Sequence, residues 1–587
     1  MSGAGAQPGG YRWTSLVGTA LRARLASRRK LLGDTGYWTR ETARIQRAQL
    51  RKLLRTAAGT EFGRGHDFAR IAGLSDEEIV PAYRSAVGIA DYSVFRPLVQ
   101  RMREGGERDV LWPGLVMDYA QTSGTTAGDK FIPVTKEMLK SNYRAALDIF
   151  AHAMRFGVDV PRMLGGKALF LGGSTDLSVN EHGIRTGDLS GLVTPLIKWP
   201  ISKIYEPGPE VALMSHWPSK IDAMAKRCID LDIRMINGMP SWAMVLFERV
   251  LQLAQERGRS AKTIRDVWPN LTLFVHGGVK YTPFDARVRG FYSGRPDGAD
   301  IPWRLELYPA SEGFIAIQDV RGEPGLKLLS DIGNFYEFVP LEEIDSADAR
   351  AFTCEEVEKG QKYVVCMTTC AGLWRYVVGD VVVFDSIPMR MGATVRGRTH
   401  PPAPSLWEGG YGPCRLRIVG RHRHFINAFG ENLIVEHIEN AVAKAAAASG
   451  VVVGEFTAAP VYPGEGRRAG LELAVEVSGF GSRVSGFGER PGTDSQPEPR
   501  DPNPETRLHM FRDAFDASLK EQNVDYTTKR TDGLGMVEPT ITALPVGTFH
   551  RWLESRGKLG GQHKCPRCAN HRDIIVEVVA AGLGTGG

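Results

Sequence analysis

The sequence lacks the features that mark membrane-spanning, disulfide-rich and nucleic-acid-binding proteins. Nowhere do about 20 apolar residues follow one another, the length that a membrane-spanning helix needs, so we expect no membrane partner. Only seven of the 587 residues are cysteine, an odd number without a recognisable secretory signal, which favours reduced thiols and a cytoplasmic location. The net charge of +6 is small and its Lys and Arg residues are dispersed, so we expect no nucleic-acid partner.

Two common nucleotide-binding patterns are also missing. The Walker A motif is absent because Gly128 is followed by Asp129 and Lys130 instead of Gly-Lys-Ser/Thr, and no Rossmann fingerprint opens a strand–helix unit. A nucleotide site in this chain must therefore be of another type.

The composition itself is that of a globular protein with more than one core, at 42% hydrophobic and 24% charged residues. The opening, around Thr39–Leu54, is helical in pattern. Beyond residue 165, apolar runs such as Ala168–Leu171 and Leu271–Val275 alternate with helix-like stretches such as Trp242–Ala254. This alternation of strand-like and helix-like segments predicts an α/β fold with mixed sheets and helices.

A change of pattern near residue 420 predicts a large domain over residues 1–420 and a smaller α+β domain over residues 421–587. In the smaller domain we predict a strand at Leu471–Val477, a helix at Arg507–Glu521 and a strand at Ile574–Val579. Residues 389–414 and 479–504 are rich in Pro, Gly and charge, so both are predicted to be flexible insertions.

The strongest local pattern is YAQTSGTTAGDKFIPVT at residues 119–135, where hydroxyl groups and glycines lie between apolar stretches. Glycines let backbone N–H groups approach an anion, and hydroxyl groups donate further hydrogen bonds to phosphate oxygens. The candidate phosphate ligands are Thr122, Ser123, Gly124, Thr125 and Thr126, with Lys130 beside them. On composition alone, a polar turn between two strands is an equally good interpretation.

A second pattern, LELYPASEGFIAIQ at residues 305–318, places Tyr308, Ser311 and Glu312 at the end of a strand-like run. A carboxylate in that position can bind Mg²⁺. A surface Glu beside a core Tyr is the commoner arrangement, so this pattern alone indicates little.

A third pattern, GLWRYVVGDVVVF at residues 372–384, places Asp380 after a glycine. We predict a Gly-Asp turn between strands at Tyr363–Met367 and Val381–Phe384. A carboxylate there can accept hydrogen bonds from the two vicinal hydroxyl groups of a ribose. The alternative is an ordinary hairpin in which Arg375 is an exposed charge.

The spacing of Cys565 and Cys568, with His563 and His571 nearby, raises the alternative of a zinc site. A second pair of ligands at metal spacing is missing, so zinc is the less favoured interpretation.

In their order, the three motifs resemble the nucleotide-binding motifs of the auxin-responsive acyl acid amido synthetases, a family with plant and bacterial members. The resemblance extends to residues 56–64, to residues 419–433 and to the late GTFHRWL and QHKCPRC segments, so it covers most of the chain. Because that family is adenylate-forming, the resemblance implies a large α/β domain and a mobile C-terminal domain that rotates near residue 420.

The resemblance also implies roles for single residues. Ser123, Thr125 and Thr126 would hold the ATP phosphates. Tyr308 would stack on adenine, Ser311 would lie near the α-phosphate and Glu312 would bind Mg²⁺.

On the same resemblance, Asp380 would hold the ribose hydroxyl groups with help from Arg421. Gly277 and Gly278 would form the glycine turn that passes the adenine. Lys564, rather than the nearby Lys558, would reach the α-phosphate during adenylation.

The implied reaction uses ATP and Mg²⁺ to join a small carboxylic acid to an amino acid through an acyl-adenylate, in a monomeric enzyme. Two alternatives stay open: a ligase that passes the acyl group to a thiol of coenzyme A or a carrier protein, and a nucleotide-binding protein without catalysis. Trp374 departs from the plant pattern, which usually has Tyr there, and neither insertion has a familiar counterpart.

Overall fold

The computed structural model describes most of the chain. The described residues are 10–122, 130–172, 177–214, 217–278, 281–390, 411–422, 425–426, 433–462, 469–478, 503–523, 526–527, 530, 536–558 and 564–583. Ser123, Gly124, Thr125 and Thr126 of the first motif lie outside this part of the chain. So do residues 391–410 and 479–502 of the two predicted insertions.

The helices of the described ranges confirm those predicted at 39–54, 242–254 and 507–521. In chain order they are α1 Ser15–Arg24, α2 Ala26–Gly33, α3 Thr35–Ala57, α4 Glu61–Gly65, α5 Phe68–Ile71, α6 Ile79–Ala86, α7 Tyr92–Arg103, α8 Lys136–Arg155, α9 Val160–Met163, α10 Leu189–Val193, α11 Pro209–Ala212, α12 Trp217–Cys228, α13 Pro240–Glu256, α14 Ile264–Val267, α15 Asp285–Ser293, α16 Val435–Ser449, α17 Pro504–Gln522, α18 Thr548–Ser555 and α19 Asp573–Leu583. Short 3-10 helices span Thr194–Leu196, Ile201–Lys203, Thr282–Phe284 and Leu341–Glu343. No described helix is both long and apolar enough to cross a membrane.

The strands of the same ranges alternate with these helices and confirm the α/β class. They are β1 Asp118–Thr122, β2 Lys130–Pro133, β3 Lys167–Phe170, β4 Ser178–Val179, β5 Arg185–Gly187, β6 Tyr205–Glu206, β7 Ile233–Asn237, β8 Leu273–Gly277, β9 Trp303–Ala310, β10 Gly313–Gln318, β11 Leu326–Leu328, β12 Phe335–Pro340, β13 Lys362–Thr368, β14 Tyr376–Ser386, β15 Arg415–Arg421, β16 Phe425–Ile426, β17 Leu433–Ile434, β18 Val452–Val461, β19 Gly470–Ser478 and β20 Thr540–Leu544.

The chain folds into two compact units. Described residues within 1–279 and 289–422 form the first unit, and those within 280–288, 423–559 and 564–587 form the second. The first unit contains an eleven-stranded sheet in the order β12-β13-β14-β15-β11-β10-β9-β8-β7-β3-β6, and a four-stranded sheet in the order β2-β1-β5-β4.

The large sheet changes from parallel to antiparallel pairing at β9. Strands β6, β3, β7, β8 and β9 pair in parallel, and β9 then pairs antiparallel with β10. Every residue of β12 is buried, and all of them except Glu337 are apolar or aromatic. Because ligands of α/β sheets bind beyond the carboxyl ends of parallel strands, the ends of β8 and β9 are the expected location of a site.

The second unit contains a three-stranded sheet in the order β18-β19-β20, with helices α16 to α19. Its predicted last strand, Ile574–Val579, is wrong, because these residues form part of α19. The β-branched residues favoured a strand, yet Ile575 and Val578 are buried three positions apart while Val576 is exposed. Burial of one helical face therefore outweighs the intrinsic preference of these side chains.

The predicted Gly-Asp turn is also wrong. The hairpin loop between β13 and β14 lies at residues 369–375, and Gly379 and Asp380 lie inside β14. The pairing of β14 with β13 shifts register between Val364 and Cys366, so β14 carries extra residues there and bulges. Gly379 has φ +96°, a conformation that glycine adopts without strain.

Strand β11 of the first unit buries a lysine. The Nζ atom of Lys327 lies 4.2 Å from the centre of the Trp38 ring and makes no hydrogen bond to any described residue. Burial lowers the pKa of Lys327 to about 8, against the opposing effect of the Asp319 and Asp148 carboxylates. Those two carboxylates already accept hydrogen bonds from Arg415 and Arg28, respectively.

We expect Lys327→Met to raise the free energy of unfolding by about 2 kcal/mol at pH 7, because methionine fills the space without a buried charge. The unfolded pKa is near 10.5 and the folded pKa about 8. Between these pKa values the unfolded chain retains a proton that the folded chain loses, so the free energy of unfolding of the wild type rises with pH. The difference in free energy of unfolding between the variant and the wild type therefore becomes smaller. Denaturant unfolding at pH 7 and 9.5 measures the gap, with the exposed Lys359→Met as control. A variant less stable than wild type at pH 7 contradicts the prediction.

Candidate active site

Asp380 joins the second and third sequence motifs. Its Oδ2 atom accepts a hydrogen bond of 2.6 Å from the Tyr308 hydroxyl at the end of β9. Its Oδ1 atom accepts a hydrogen bond of 2.8 Å from Nε of Arg421, which stands opposite Asp380 in the pairing of β14 with β15. Residues 308, 380 and 421, far apart in sequence, therefore form one polar cluster.

Tyr308 and Arg421 both keep their protons near neutral pH. Burial and the neighbouring Asp380 carboxylate raise the pKa of Tyr308, so its hydroxyl stays protonated and donates. The charge of Asp380 also raises the pKa of Arg421. Since a carboxylate offers about four acceptor positions and the protein uses one on each oxygen, Asp380 retains an acceptor position on each oxygen for a ligand.

Glu312 belongs to a second polar group that also joins separate motifs. It lies in the turn between β9 and β10 and is nearly buried. Burial, and then the charge and hydrogen bonding of Glu312, raise the pKa of the buried Tyr376, which begins β14. Nζ of Lys130 donates a 3.2 Å hydrogen bond to the Tyr376 hydroxyl.

Lys130 also locates the first motif. Strands β1 and β2 pair antiparallel with Thr122 opposite Lys130, so residues 123–129 connect two positions that are already adjacent. The base of this hairpin therefore lies at the Tyr376 hydroxyl, beside the second and third motifs. The contacts of Ser123, Gly124, Thr125 and Thr126 stay a prediction.

Glycines 277 and 278 end β8 beside β9. A Cβ atom on Gly277 would lie 2.4 Å from the carbonyl oxygen of Leu307, a distance that no side chain tolerates. Gly278 has φ +81°. The chain thus leaves β8 by a route that only glycine permits, next to β9, the strand that carries Tyr308 and ends just before Ser311.

Lys564 belongs to the second unit and is exposed. The segment after it pairs with β18, since the Ala458 amide donates to the carbonyl of Arg567 at 2.9 Å. Cys565 and Cys568 are both buried in apolar clusters, and no group of three described His, Cys, Asp or Glu residues could hold a metal ion. These cysteines therefore serve as core residues of the second unit.

The sequence matches three models of one family. They are the GH3 family N-terminal domain over residues 35–206, the central domain over residues 327–391 and the C-terminal domain over residues 436–573. Together these matches cover more than half of the chain, in the order of the family. The chain belongs to the GH3 family.

Curated relatives carry the same family's activities in their names. A jasmonoyl–L-amino acid synthetase of Nicotiana attenuata is 24% identical over 410 residues, covering 59% of this chain and 67% of the relative. A probable indole-3-acetic acid-amido synthetase of Arabidopsis thaliana is 23% identical over 403 residues, covering 59% and 64%. Among solved structures, an acyl acid amido synthetase in complex with 2,4-DB has 16% identity and a TM-score of 0.68, covering 96% of both chains, so the GH3 fold is shared.

In this GH3 chain a cluster of charged side chains surrounds Arg375, the residue immediately before β14. The Glu337 carboxylate on β12 accepts hydrogen bonds of 2.9 Å from Nε of Arg375 and 2.9 Å from Nε of Arg84 on α6. Arg375 also donates to the Val87 carbonyl at 2.7 Å. It is buried, so the alternative interpretation that placed it at the surface is wrong.

The sequence analysis singled out neither Tyr376, although it lies inside the third motif, nor Glu337. No spacing rule connects Glu337 with Arg84 and Arg375, because the contacts depend on which strands become neighbours. Arg375 has φ +46°, an unusual backbone conformation for a non-glycine residue, and only the structure reveals it.

We expect Glu337→Gln to lower the free energy of unfolding of the first unit by about 3–5 kcal/mol, because it leaves the buried Arg375 guanidinium group facing a neutral amide, while Arg84 keeps its pair with Glu356. Thermal unfolding followed by circular dichroism measures the loss. The matched control is Glu343→Gln, which removes a surface partner of Arg350 and should change stability by less than about 1 kcal/mol. Equal effects of the two changes would remove the special role of Glu337.

Proposed function

We propose that this chain activates a small carboxylic acid with ATP as an acyl-adenylate and transfers the acyl group to the amine of an amino acid. One observation carries the proposal: the Tyr308–Asp380 hydrogen bond joins the second motif to the third, and the Lys130–Tyr376 hydrogen bond joins the first motif to the third. Membership of the GH3 family, whose named relatives join acids to amino acids, supports the same reaction.

In the proposed reaction the acid carboxylate attacks the α-phosphorus of ATP and pyrophosphate leaves. The amine then attacks the carbonyl carbon of the mixed anhydride, and AMP leaves. Asp380 would accept hydrogen bonds from the ribose through its remaining acceptor positions, while Tyr308 and Arg421 hold its carboxylate in place.

The residues present fit a Mg²⁺ ion that arrives with ATP. Among described residues no three-ligand cluster exists, and Mg²⁺ in nucleotide sites is usually bound by one or two carboxylates together with phosphates and water. Glu312 supplies one such carboxylate. When bound, Mg²⁺ would neutralise charge that develops on the phosphates.

Several finer assignments are proposals on the same footing. Ser123, Gly124, Thr125 and Thr126 would hold the phosphates, Ser311 would lie near the α-phosphate, Gly278 would pass the adenine and Lys564 would reach the α-phosphate. We also propose a monomer in the cytoplasm. All seven cysteines are described and none forms a disulfide, which supports a reducing compartment.

The first test incubates the purified protein with Mg-ATP, amino acids and a panel of aryl, indolyl and aliphatic acids, and identifies products by mass spectrometry. AMP together with an amide supports the proposal. Acid-dependent AMP without an amide, followed by thioester formation with coenzyme A, would replace the amino acid by a thiol as acceptor. ADP as the only nucleotide product would contradict an adenylate mechanism.

We expect Glu312→Ala and Lys564→Ala each to abolish acid-dependent AMP formation while the circular dichroism spectrum stays unchanged. The first change removes the proposed Mg²⁺ ligand, and the second removes the positive charge proposed to reach the α-phosphate. Lys558→Ala is the matched control, because this lysine lies six residues away in the same unit. Loss of activity in the Lys558 variant, with activity retained in the Lys564 variant, would move the catalytic role to Lys558.

We expect Asp380→Asn to raise the KM for ATP by about tenfold or more, because a charge-assisted hydrogen bond to ribose becomes a neutral one. The control is Asp385→Asn, which breaks the Asp385–Arg417 pair between the same two strands. Initial rates of pyrophosphate release across an ATP series measure both variants. An unchanged KM for the Asp380 variant would remove this residue from the ribose site.

A further inference from the structure

The Tyr92 hydroxyl takes the place of a neighbouring strand beside β2. Strand β2 lies at one end of the four-stranded sheet and pairs with β1. The Tyr92 hydroxyl accepts a hydrogen bond of 2.7 Å from the Phe131 amide and donates one of 3.0 Å to the Phe131 carbonyl. One phenol oxygen therefore serves both backbone groups that Phe131 would offer to a further strand.

Tyr92 is itself firmly placed. It is buried and is the first residue of α7. Just before it, the Ala90 amide donates to the Arg375 carbonyl at 3.0 Å, and the Val377 amide donates to the Ala90 carbonyl at 2.8 Å. The start of α7 is therefore bonded to the start of β14, and Tyr92 fastens β2 to the same support.

Lys130 precedes Phe131 in β2 and belongs to the first motif. Its Nζ atom donates to the Tyr376 hydroxyl at 3.2 Å, and lies 5.9 Å from the centre of the Tyr92 ring and 5.8 Å from that of the Tyr376 ring. An ammonium group within about 6 Å of a ring centre is attracted to the ring. Because Lys130 and Phe131 are consecutive, a shift of the Phe131 backbone moves Lys130 with it.

Two further cations lie against the same aromatic rings. The guanidinium carbon of Arg96 lies 5.1 Å from the centre of the Tyr92 ring, and that of Arg103 lies 3.7 Å from the centre of the Phe131 ring. Three cationic side chains, with Lys130, therefore adjoin the contact between α7 and β2. A triphosphate carries more negative charge than a monophosphate, so this group of cations favours ATP over AMP.

We propose that Tyr92 is a positioning residue for Lys130: its hydroxyl holds edge strand β2 so that the Lys130 ammonium group binds the β- and γ-phosphates of ATP. This inference rests on the proposed function, because it takes the site to be one for ATP. Tyr376 holds the ammonium end of Lys130, and Tyr92 holds its backbone end. Tyr92 therefore affects the binding of ATP, and not that of AMP, which lacks these two phosphates.

The test uses Tyr92→Phe, which keeps the ring and removes the hydroxyl. Isothermal titration calorimetry with Mg²⁺ measures the binding of AMP and of α,β-methylene-ATP, an analogue that cannot be cleaved at the α-phosphorus. We expect the dissociation constant of the analogue to rise by about fivefold or more, and that of AMP to change by less than about twofold.

Tyr363→Phe is the matched control. It removes another hydroxyl of the first unit, which likewise accepts from a backbone amide, that of Glu358 at 2.9 Å, and donates to the Gln361 side chain at 2.9 Å. This variant should bind both nucleotides as the wild type does. An unchanged affinity of Tyr92→Phe for the analogue, or an equal loss for the analogue and AMP, overturns the inference.

A double-mutant cycle connects the effect to Lys130. In a Lys130→Met background, Tyr92→Phe should raise the dissociation constant of the analogue by less than about twofold, because no ammonium group is left to position. Lys130→Met alone leaves the hydrogen bonds of Phe131 in place and should weaken the analogue at least as much as Tyr92→Phe. An equal loss in both backgrounds, or full affinity in Lys130→Met, overturns the inference, the latter even if Tyr92→Phe does not fold.

The binding titrations need no turnover, so they are decided separately from the proposed reaction. Wild-type protein that binds the analogue but releases no pyrophosphate with any acid overturns the reaction, while the titrations still decide the role of Tyr92. In active protein, Tyr92→Phe should raise the KM for ATP and preserve kcat within about threefold. A loss of kcat with an unchanged KM overturns the inference, and wild-type protein that binds neither nucleotide overturns both.

Discussion

The buried ion cluster around Glu337 is the interaction on which the candidate site depends. One carboxylate on β12 meets the guanidinium groups of Arg84 and Arg375, and it therefore fixes helix α6 and the start of β14 against the same strand. The buried charges of Arg375 and Glu337 are tolerated because they pair with each other and because the Val87 carbonyl accepts a further hydrogen bond from Arg375. The partly exposed Arg84 also donates to the Glu356 carboxylate. The left-handed backbone of Arg375 is held by these contacts.

Strand β14 connects this ion cluster to the residues of the candidate site. It begins at Tyr376, immediately after Arg375, and bulges at Gly379, so that Tyr376 and Asp380 are presented to different neighbours. Tyr376 meets the hairpin base at Lys130 and the turn at Glu312, while Asp380 meets Tyr308 and Arg421. Three motifs that are separate in sequence thus come together because residues of one irregular strand, β14, contact the other two motifs.

The sequence alone predicted the α/β class, helices such as α3 and α13, and the residue types at Tyr308, Glu312 and Asp380. It misplaced Asp380 in a turn because a Gly-Asp pair has the same local preference at a bulge as in a hairpin loop. It misread α19 because β-branched residues favour strands until tertiary burial selects a helical face. Glu337 and Tyr376 escaped detection because their partners become neighbours only through the pairing order of the sheet.

The two hydrogen bonds that Asp380 accepts from Tyr308 and Arg421 have a consequence for sugar selectivity. With one protein donor on each oxygen, the carboxylate is matched to a ligand that brings two adjacent hydroxyl groups. Under the proposed function, a 2′-deoxynucleotide would leave one acceptor of this half-buried carboxylate without a donor, which costs binding free energy. The site would therefore separate ribonucleotides from deoxyribonucleotides without any side chain that contacts the 2′ carbon.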